Sequence, residues 1–331
     1  MTDQCVTSFS LKVEDLSTSF FTPAGVIEAV KGVSLTLEPN RCLALIGESG
    51  AGKSVTAMSL LNMVPEPGKV VSGTVLLNGI NLLNLKGEKI RKQRGEEISL
   101  MFQDPLAALN PVLTVGAQIR QTVIAHRNIS HGEANKMVLE KLSAMKLPAK
   151  RAFNSYPFQL SGGMRQRAAL ALALILHPRV LIADEPTSSL DVTLQEQILA
   201  ELREQLNNCC LSLLFITHDL AAAAAIADRV AVMYGGKILE EGTLDQVYTQ
   251  PLHPYTRALI GSHPAFCRDG RLQPIPGSAP PILLQNQGCT FQSRCEEVQP
   301  VCRSVEPEII EQENGRSVAC HLVKDSLVYT K

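Results

Sequence analysis

Gly47-Glu48-Ser49-Gly50-Ala51-Gly52-Lys53-Ser54 is the stretch on which the fold turns. It fits the pattern G-x-x-x-x-G-K-[ST], and each residue type has a reason to be there. Glycines let the backbone wind closely around an anion, and successive N–H groups at a helix N-terminus form a nest for phosphate oxygens. A lysine at position 53 can reach the outer phosphates, and the Ser54 hydroxyl can ligate Mg²⁺. The context agrees. Cys42–Ile46, just before, is a continuous apolar run suited to a buried strand, and the residues from Lys53 to about Met63 read as a helix.

Further along, Val180-Leu181-Ile182-Ala183 is a second buried-strand pattern that ends in two carboxylates, Asp184 and Glu185. Asp184 at such a strand end is suited to holding Mg²⁺, and Glu185 to polarising an attacking water as general base. Other expected strands are Leu11–Val13, Val33–Leu37, Val75–Leu77, Ile98–Phe102 and Leu211–Ile216, with a hairpin over Val230–Leu239 around Gly235-Gly236. Helices are expected at Val115–Ala125, Ala134–Met145, Val192–Leu206 and Leu220–Ala227. Strands alternating with helices after the first Gly-rich turn mean an α/β fold with a largely parallel sheet, into which a long helical stretch is inserted.

Composition bounds the class. The chain has 331 residues, 45% of them hydrophobic, and 31 basic against 32 acidic side chains. So even a balance argues against bulk electrostatic binding to nucleic acid or an anionic membrane. The longest apolar runs, Ala168–Leu176 and Leu220–Ala227, fall far short of the ~20 residues that span a bilayer. No basic region followed by an apolar stretch opens the chain, and the expected location is the cytoplasm. Nine cysteines are many for a reducing compartment, where thiols serve as free groups, metal ligands or catalytic residues. Five of them (Cys267, Cys289, Cys295, Cys302 and Cys320) and nine of the nineteen prolines lie after residue 250, which sets the expected domain boundary.

Leu160-Ser161-Gly162-Gly163-Met164-Arg165-Gln166-Arg167 resembles the signature motif of ATP-binding-cassette (ABC) ATPases, and it precedes the Val180 strand as in that family. Ser161, Gly162 and Gly163 open a helix whose donors would face a γ-phosphate, by the family pattern one held on a partner subunit. Gln103 resembles the Q-loop residue that senses the γ-phosphate and Mg²⁺. Ser189-Leu190-Asp191 resembles the D-loop, and His218 the switch histidine. The adenine-stacking aromatic would be Phe20 or Phe21. The resemblance implies a P-loop NTPase cassette over residues 1–250. It would have a mostly parallel core sheet, an antiparallel β subdomain, a helical subdomain at about 104–178, and a small Cys/Pro-rich extension over 251–331. ATP and Mg²⁺ would be its cofactors, the metal held by Ser54, Gln103 and Asp184.

The wording of the motifs is similar to the ATPases of dipeptide and oligopeptide importers. Phe102-Gln103-Asp104-Pro105, Tyr156 to Arg167, Ile182 to Thr187, His253-Pro254-Tyr255-Thr256 and Pro276-Gly277-Ser278-Ala279-Pro280 carry that likeness, with Phe158 standing where a histidine is usual. The resemblance implies a peripheral subunit on the cytoplasmic face of the membrane. Its partners would be permease subunits, a second ATPase (a sibling or itself) and, indirectly, an extracytoplasmic solute-binding protein. A nickel or metal-chelate importer of the same family is one alternative, and an ABC ATPase of DNA repair or translation is another. The latter usually carries two cassettes or a long insertion, and this chain has one phosphate loop. Cys289, Cys295, Cys302 and Cys320 match the family's extension. They could hold a [4Fe–4S] cluster, as the resemblance implies, or Zn²⁺, or remain free thiols in a packed tail.

Overall fold

Strands that are apolar at every position can bury both faces only inside a covered sheet. Cys42–Ile46 is such a strand, and Val180–Asp184 and Ser212–Thr217 depart from it only at Asp184, Ser212 and Thr217; every residue in all three is buried. The structure, a computed structural model, describes residues 11–188, 190–208, 210–264, 275–277 and 287–326.

In chain order, β1 (Leu11–Thr22), β2 (Gly25–Leu37) and β3 (Cys42–Ile46) precede α1 (Lys53–Leu60), β4 (Gly68–Leu77) and β5 (Ile80–Asn81). Next come α2 (Glu88–Glu96), β6 (Ile98–Met101) and five helices: α3 (Pro105–Ala108), α4 (Val115–His126), α5 (His131–Ala144), α6 (Ala149–Asn154) and α7 (Gly162–Leu174). β7 (Val180–Asp184), α8 (Val192–Asn208), β8 (Ser212–Thr217), α9 (Leu220–Ile226), β9 (Arg229–Tyr234) and β10 (Lys237–Thr243) follow. α10 (Leu244–Thr249) comes next, and the tail supplies α11 (Pro254–Gly261), β11 (Ile310–Gln312), β12 (Arg316–Val318) and α12 (His321–Ser326).

These elements gather into two compact units. One contains Leu37–Arg41 and Asn84–Ile216, the other Lys12–Thr36, Cys42–Leu83 and Thr217–Lys331. In the first, β6, β7 and β8 are parallel neighbours, with Ile98 opposite Val180 and Val180 opposite Ser212. Helices α3 to α7 fill the chain between β6 and β7. α5 begins with a capping box: Ser130 accepts from the Glu133 N–H, and the Glu133 carboxylate accepts from the Ser130 N–H. In the second unit, β3 pairs in parallel with β9, and β10 runs antiparallel to β9 and to β12. A separate sheet has the order β2-β1-β4-β5.

The parallel sheet and the inserted helices match the reading of the sequence. The differences have local causes. β1 and β2 run much longer than the expected Leu11–Val13 and Val33–Leu37: Glu14, Asp15 and Ser17 to Ser19 in β1, and Glu28, Lys31 and Gly32 in β2, break the apolar alternation that marks a strand in sequence. α2 was not expected, since Ile90 is its only apolar residue. Arg91 holds it by gripping Glu88 one turn earlier and donating to the Ala125 carbonyl at 2.8 Å. α1 stops at Leu60 rather than near Met63, because Asn62 takes a left-handed φ of 51°.

Candidate functional site

β3 delivers the chain into the loop Gly47 to Gly52, and α1 starts at Lys53. Gly52 is the N-cap with φ +106°, and a Cβ there would stand 2.4 Å from the Ala29 carbonyl oxygen. A Cβ on Gly47 would meet the Met233 carbonyl oxygen at 2.1 Å. So only glycine lets the loop run this close to the neighbouring main chain. The Lys53 ammonium is buried and donates to the Gly47 and Glu48 carbonyl oxygens at 2.8 and 2.9 Å. This directs the loop's carbonyls towards the lysine. Ala51 is buried as well, its carbonyl accepting from the Gly236 N–H at 2.9 Å, while Ser49 and Gly50 are exposed at the tip. Ser54 stands half-buried on the first turn of α1. Phe20 lies against Gly68, whereas Phe21 is 51% exposed, so Phe21 is the aromatic face open to a ligand. His218 is exposed just past β8, where Asp219 caps α9 by accepting from Ala221 and Ala222.

The acidic groups belong to the other unit. Asp184 ends β7 and is buried. Glu185 follows with a left-handed φ of 47°, a strained conformation for a non-glycine residue, and strain of this kind collects at functional positions. The turn is tied down: the Glu185 N–H donates to the Ile216 carbonyl at 2.8 Å, and the Ser188 hydroxyl to the Glu185 carbonyl at 2.9 Å. Gln103 Nε2 donates to Glu185 Oε2 at 2.9 Å, so the structure brings together two expected site residues 82 positions apart. Ser161 caps α7 by accepting from the Met164 N–H at 3.4 Å. Gly162 faces open space, while Gly163 packs on Leu194. Gln166, in the second turn of α7, donates to the Pro186 carbonyl and joins the signature helix to the turn after Glu185. Ser189 of the expected D-loop lies outside the described residues, and Asp191 accepts from the Leu194 N–H at 2.9 Å.

In the tail, Cys289, Cys302 and Cys320 are buried and Cys295 is partly so. The Cys289 N–H donates to the Cys302 carbonyl at 2.8 Å. Burial pushes the Cys289 thiol up to about 11, the neighbouring thiols adding to the effect, and it raises Cys295 and Cys320 as well. Among the described residues no group of three or more His, Cys, Asp or Glu is arranged to hold a metal ion, so the iron–sulfur or zinc site implied for these four cysteines finds no support. Cys267 lies outside the described residues.

Arg294, and the loop contact of Tyr255, which the sequence reading quotes only within a family motif, escaped that reading. Tyr255 accepts a hydrogen bond from the Glu48 N–H at 3.0 Å, and Arg294 grips the Glu48 carboxylate. They stand 207 and 246 positions from Glu48, and no local pattern signals such a contact.

Comparison with known proteins agrees with this geometry. Residues 30–188 match the ABC transporter family and residues 239–302 the oligopeptide/dipeptide transporter C-terminal region. The chain is 44% identical to the dipeptide transport ATP-binding protein DppD of Bacillus subtilis over 94% of each chain. It is 40% identical to the oligopeptide transport ATP-binding protein OppD of Escherichia coli, covering 94% of this chain and 92% of that one. The dimeric structure of MJ0796, a bacterial ABC transporter cassette, superposes with a TM-score of 0.64 at 28% identity, covering 71% of this chain and 98% of the other. A relative of this identity along nearly the whole chain settles the kinship: the chain belongs to the ATP-binding-cassette ATPases, in the family of the dipeptide and oligopeptide transport ATP-binding proteins.

Proposed function

We propose that the chain hydrolyses ATP to energise a membrane importer of dipeptides or oligopeptides. One observation carries this reading. The likeness to peptide-transport relatives runs through the cassette and continues into the C-terminal region particular to those transporters. Among the described residues no helix is long and apolar enough to cross a membrane, so transport calls for separate permease subunits. The chain would act at the cytoplasmic face, beside a second ATPase and a permease fed by an extracytoplasmic binding protein. Residues 1–250 would be the engine and 251–331 its extension.

In this reading the loop from Gly47 to Ser54 binds the phosphates, with Lys53 as their counter-charge and Phe21 stacking on adenine. Ser54, Gln103 and Asp184 are oxygen donors, the chemistry Mg²⁺ prefers. The metal would neutralise charge on the transferring phosphoryl group. Glu185 takes a proton from water, and the Gln103 amide orients its carboxylate. His218 contacts the γ-phosphate, and Ser161, Gly162 and Gly163 complete the partner's nucleotide.

The test is ATP-driven uptake of a labelled dipeptide by proteoliposomes holding the permease, this chain and its partner ATPase. Peptide-independent uptake of a nickel chelate would move the assignment to the metal-importing alternative. Glu185→Gln should keep MgATP affinity and lower hydrolysis by at least about a hundredfold, the scale of a lost general base. Near-normal turnover would remove Glu185 from that role.

A further inference from the structure

The second residue of the phosphate loop is held from both sides by the tail. Arg294 Nη1 donates to Glu48 Oε2 at 2.7 Å and Nη2 donates to Oε1 at 3.0 Å, the two-pronged geometry in which a guanidinium fixes a carboxylate. The guanidinium is itself fixed. Its Nε donates to the Pro276 carbonyl at 2.8 Å, its Nη1 reaches the Tyr234 hydroxyl at 3.4 Å, and its carbon stands 5.8 Å from the Tyr234 ring centre. The Arg294 side chain is only 6% exposed. On the main-chain side, the Glu48 N–H donates to the Tyr255 hydroxyl. Tyr255 packs on Tyr234 and Phe291 with ring centres 4.7 and 5.3 Å away, and the Phe291 carbonyl accepts from the Arg294 N–H.

Two physical consequences follow. An anion nest binds best when its N–H groups are already aimed, because ordering a loose loop subtracts from affinity. And a carboxylate beside a triphosphate repels it unless a cation answers its charge. Arg294 meets both needs at once, since the grip that fixes Glu48 also neutralises it.

We propose that Arg294 is a positioning residue for nucleotide binding: by holding the Glu48 carboxylate it presets the phosphate loop, and so couples the fold of the tail to the loop's affinity for nucleotide. The proposal rests on the reading of residues 47–54 as the phosphate loop. If it holds, linkage requires the converse, that bound nucleotide steadies the tail by the same factor.

The test is a double-mutant cycle on the full chain, reading MgADP affinity by calorimetry together with KM and kcat for ATP. Arg294→Gln should weaken MgADP binding and raise KM about tenfold, the scale of one charge-assisted contact, with kcat changed less than about twofold. Arg294→Lys, which keeps the charge and loses the fork, should recover part of the affinity. On a Glu48→Gln background, Arg294→Gln should add no further loss, because its carboxylate partner is already gone. Full, additive loss on both backgrounds, or unchanged affinity in a folded Arg294→Gln protein, overturns the proposal. Lys53→Ala separates this from the underlying reading. If it binds MgADP like the parent, the phosphate-loop assignment itself fails; if it loses binding while Arg294→Gln does not, only the coupling fails. Should Arg294→Gln not fold, the wild-type chain still decides. Saturating MgADP should slow alkylation of buried Cys289 and Cys302 about tenfold, the reciprocal of the affinity effect, and an unchanged rate refutes the coupling.

Discussion

Gly52 shows how much one missing methyl can matter. Its φ of +106° is a conformation that a side-chain-bearing residue adopts only under strain, and the Ala29 carbonyl leaves no room for a Cβ. Gly52→Ala should therefore cost about 1–3 kcal/mol in urea unfolding and abolish MgATP binding, because the loop must shift to relieve the contact. Gly162 makes the contrast. A Cβ there meets nothing within 4 Å, so Gly162→Ala should unfold like the parent. Gly163 lies between the two, since its added methyl asks only that the Leu194 side chain move. The motif alone ranks these glycines equally; their surroundings separate them.

At the scale of elements, the tail is joined to β10 by strand pairing and by a buried charge. Glu240 lies opposite Val318 and Glu241 opposite Ser317, and the fully buried Glu240 carboxylate accepts from Arg316 at 2.6 Å and from the Leu252 and His253 N–H groups at 2.9 Å. Removing one member of such a pair leaves the other charged in an apolar setting. Arg316→Ala should thus cost about 3–5 kcal/mol by urea unfolding, and much of that should return when Glu240→Gln is added. His253 caps α11 through Nδ1, and burial, with Arg257 nearby, holds its imidazole neutral down to about 3. The unfolded chain protonates it near the ordinary value of 6.5, so this contribution is whole above that pH and drains away as the pH falls towards 3. From about pH 7 to pH 5 the folded state should lose about 2 kcal/mol through His253, a slope that His253→Asn, with a capping oxygen of its own, should remove. Strands such as β3, β7 and β8 were legible in the sequence because continuous apolar runs have one use. β11 and β12 were not, since three-residue strands carry no periodic pattern and are decided by what they pair with. The Gly47–Ser54 loop before α1 and the carboxylate turn after β7 were legible as local structure for the same reason as β3, their residues being contiguous. Arg294 and Glu240 were not, because their meaning lies in partners 246 and 76 positions away.

The whole molecule raises the question of what its exposed signature helix is for. The N-terminus of α7 presents Ser161 and Gly162 to solvent, and no acidic side chain stands in its first turn to oppose an anion. A 13-residue helix with an open, hydroxyl-bearing N-terminus is suited to a phosphate brought by another molecule, and the cassette of similar fold was solved as a dimer. A chain arrested before hydrolysis should then hold its partner through ATP. Glu185→Gln with MgATP should shift from monomer to dimer by light scattering, either alone or on addition of the sibling ATPase, and MgADP should not cause the shift. Ser161→Arg in the same background should prevent association, since a bulky side chain would occupy the helix N-terminus, while leaving the monomer's MgATP affinity within about twofold, because in the proposed function the residue serves the partner's nucleotide and not its own. Equal loss of affinity and of association in Ser161→Arg would place that residue at its own chain's nucleotide. Failure to associate with either partner under MgATP would mean that this cassette works without the two-chain sandwich.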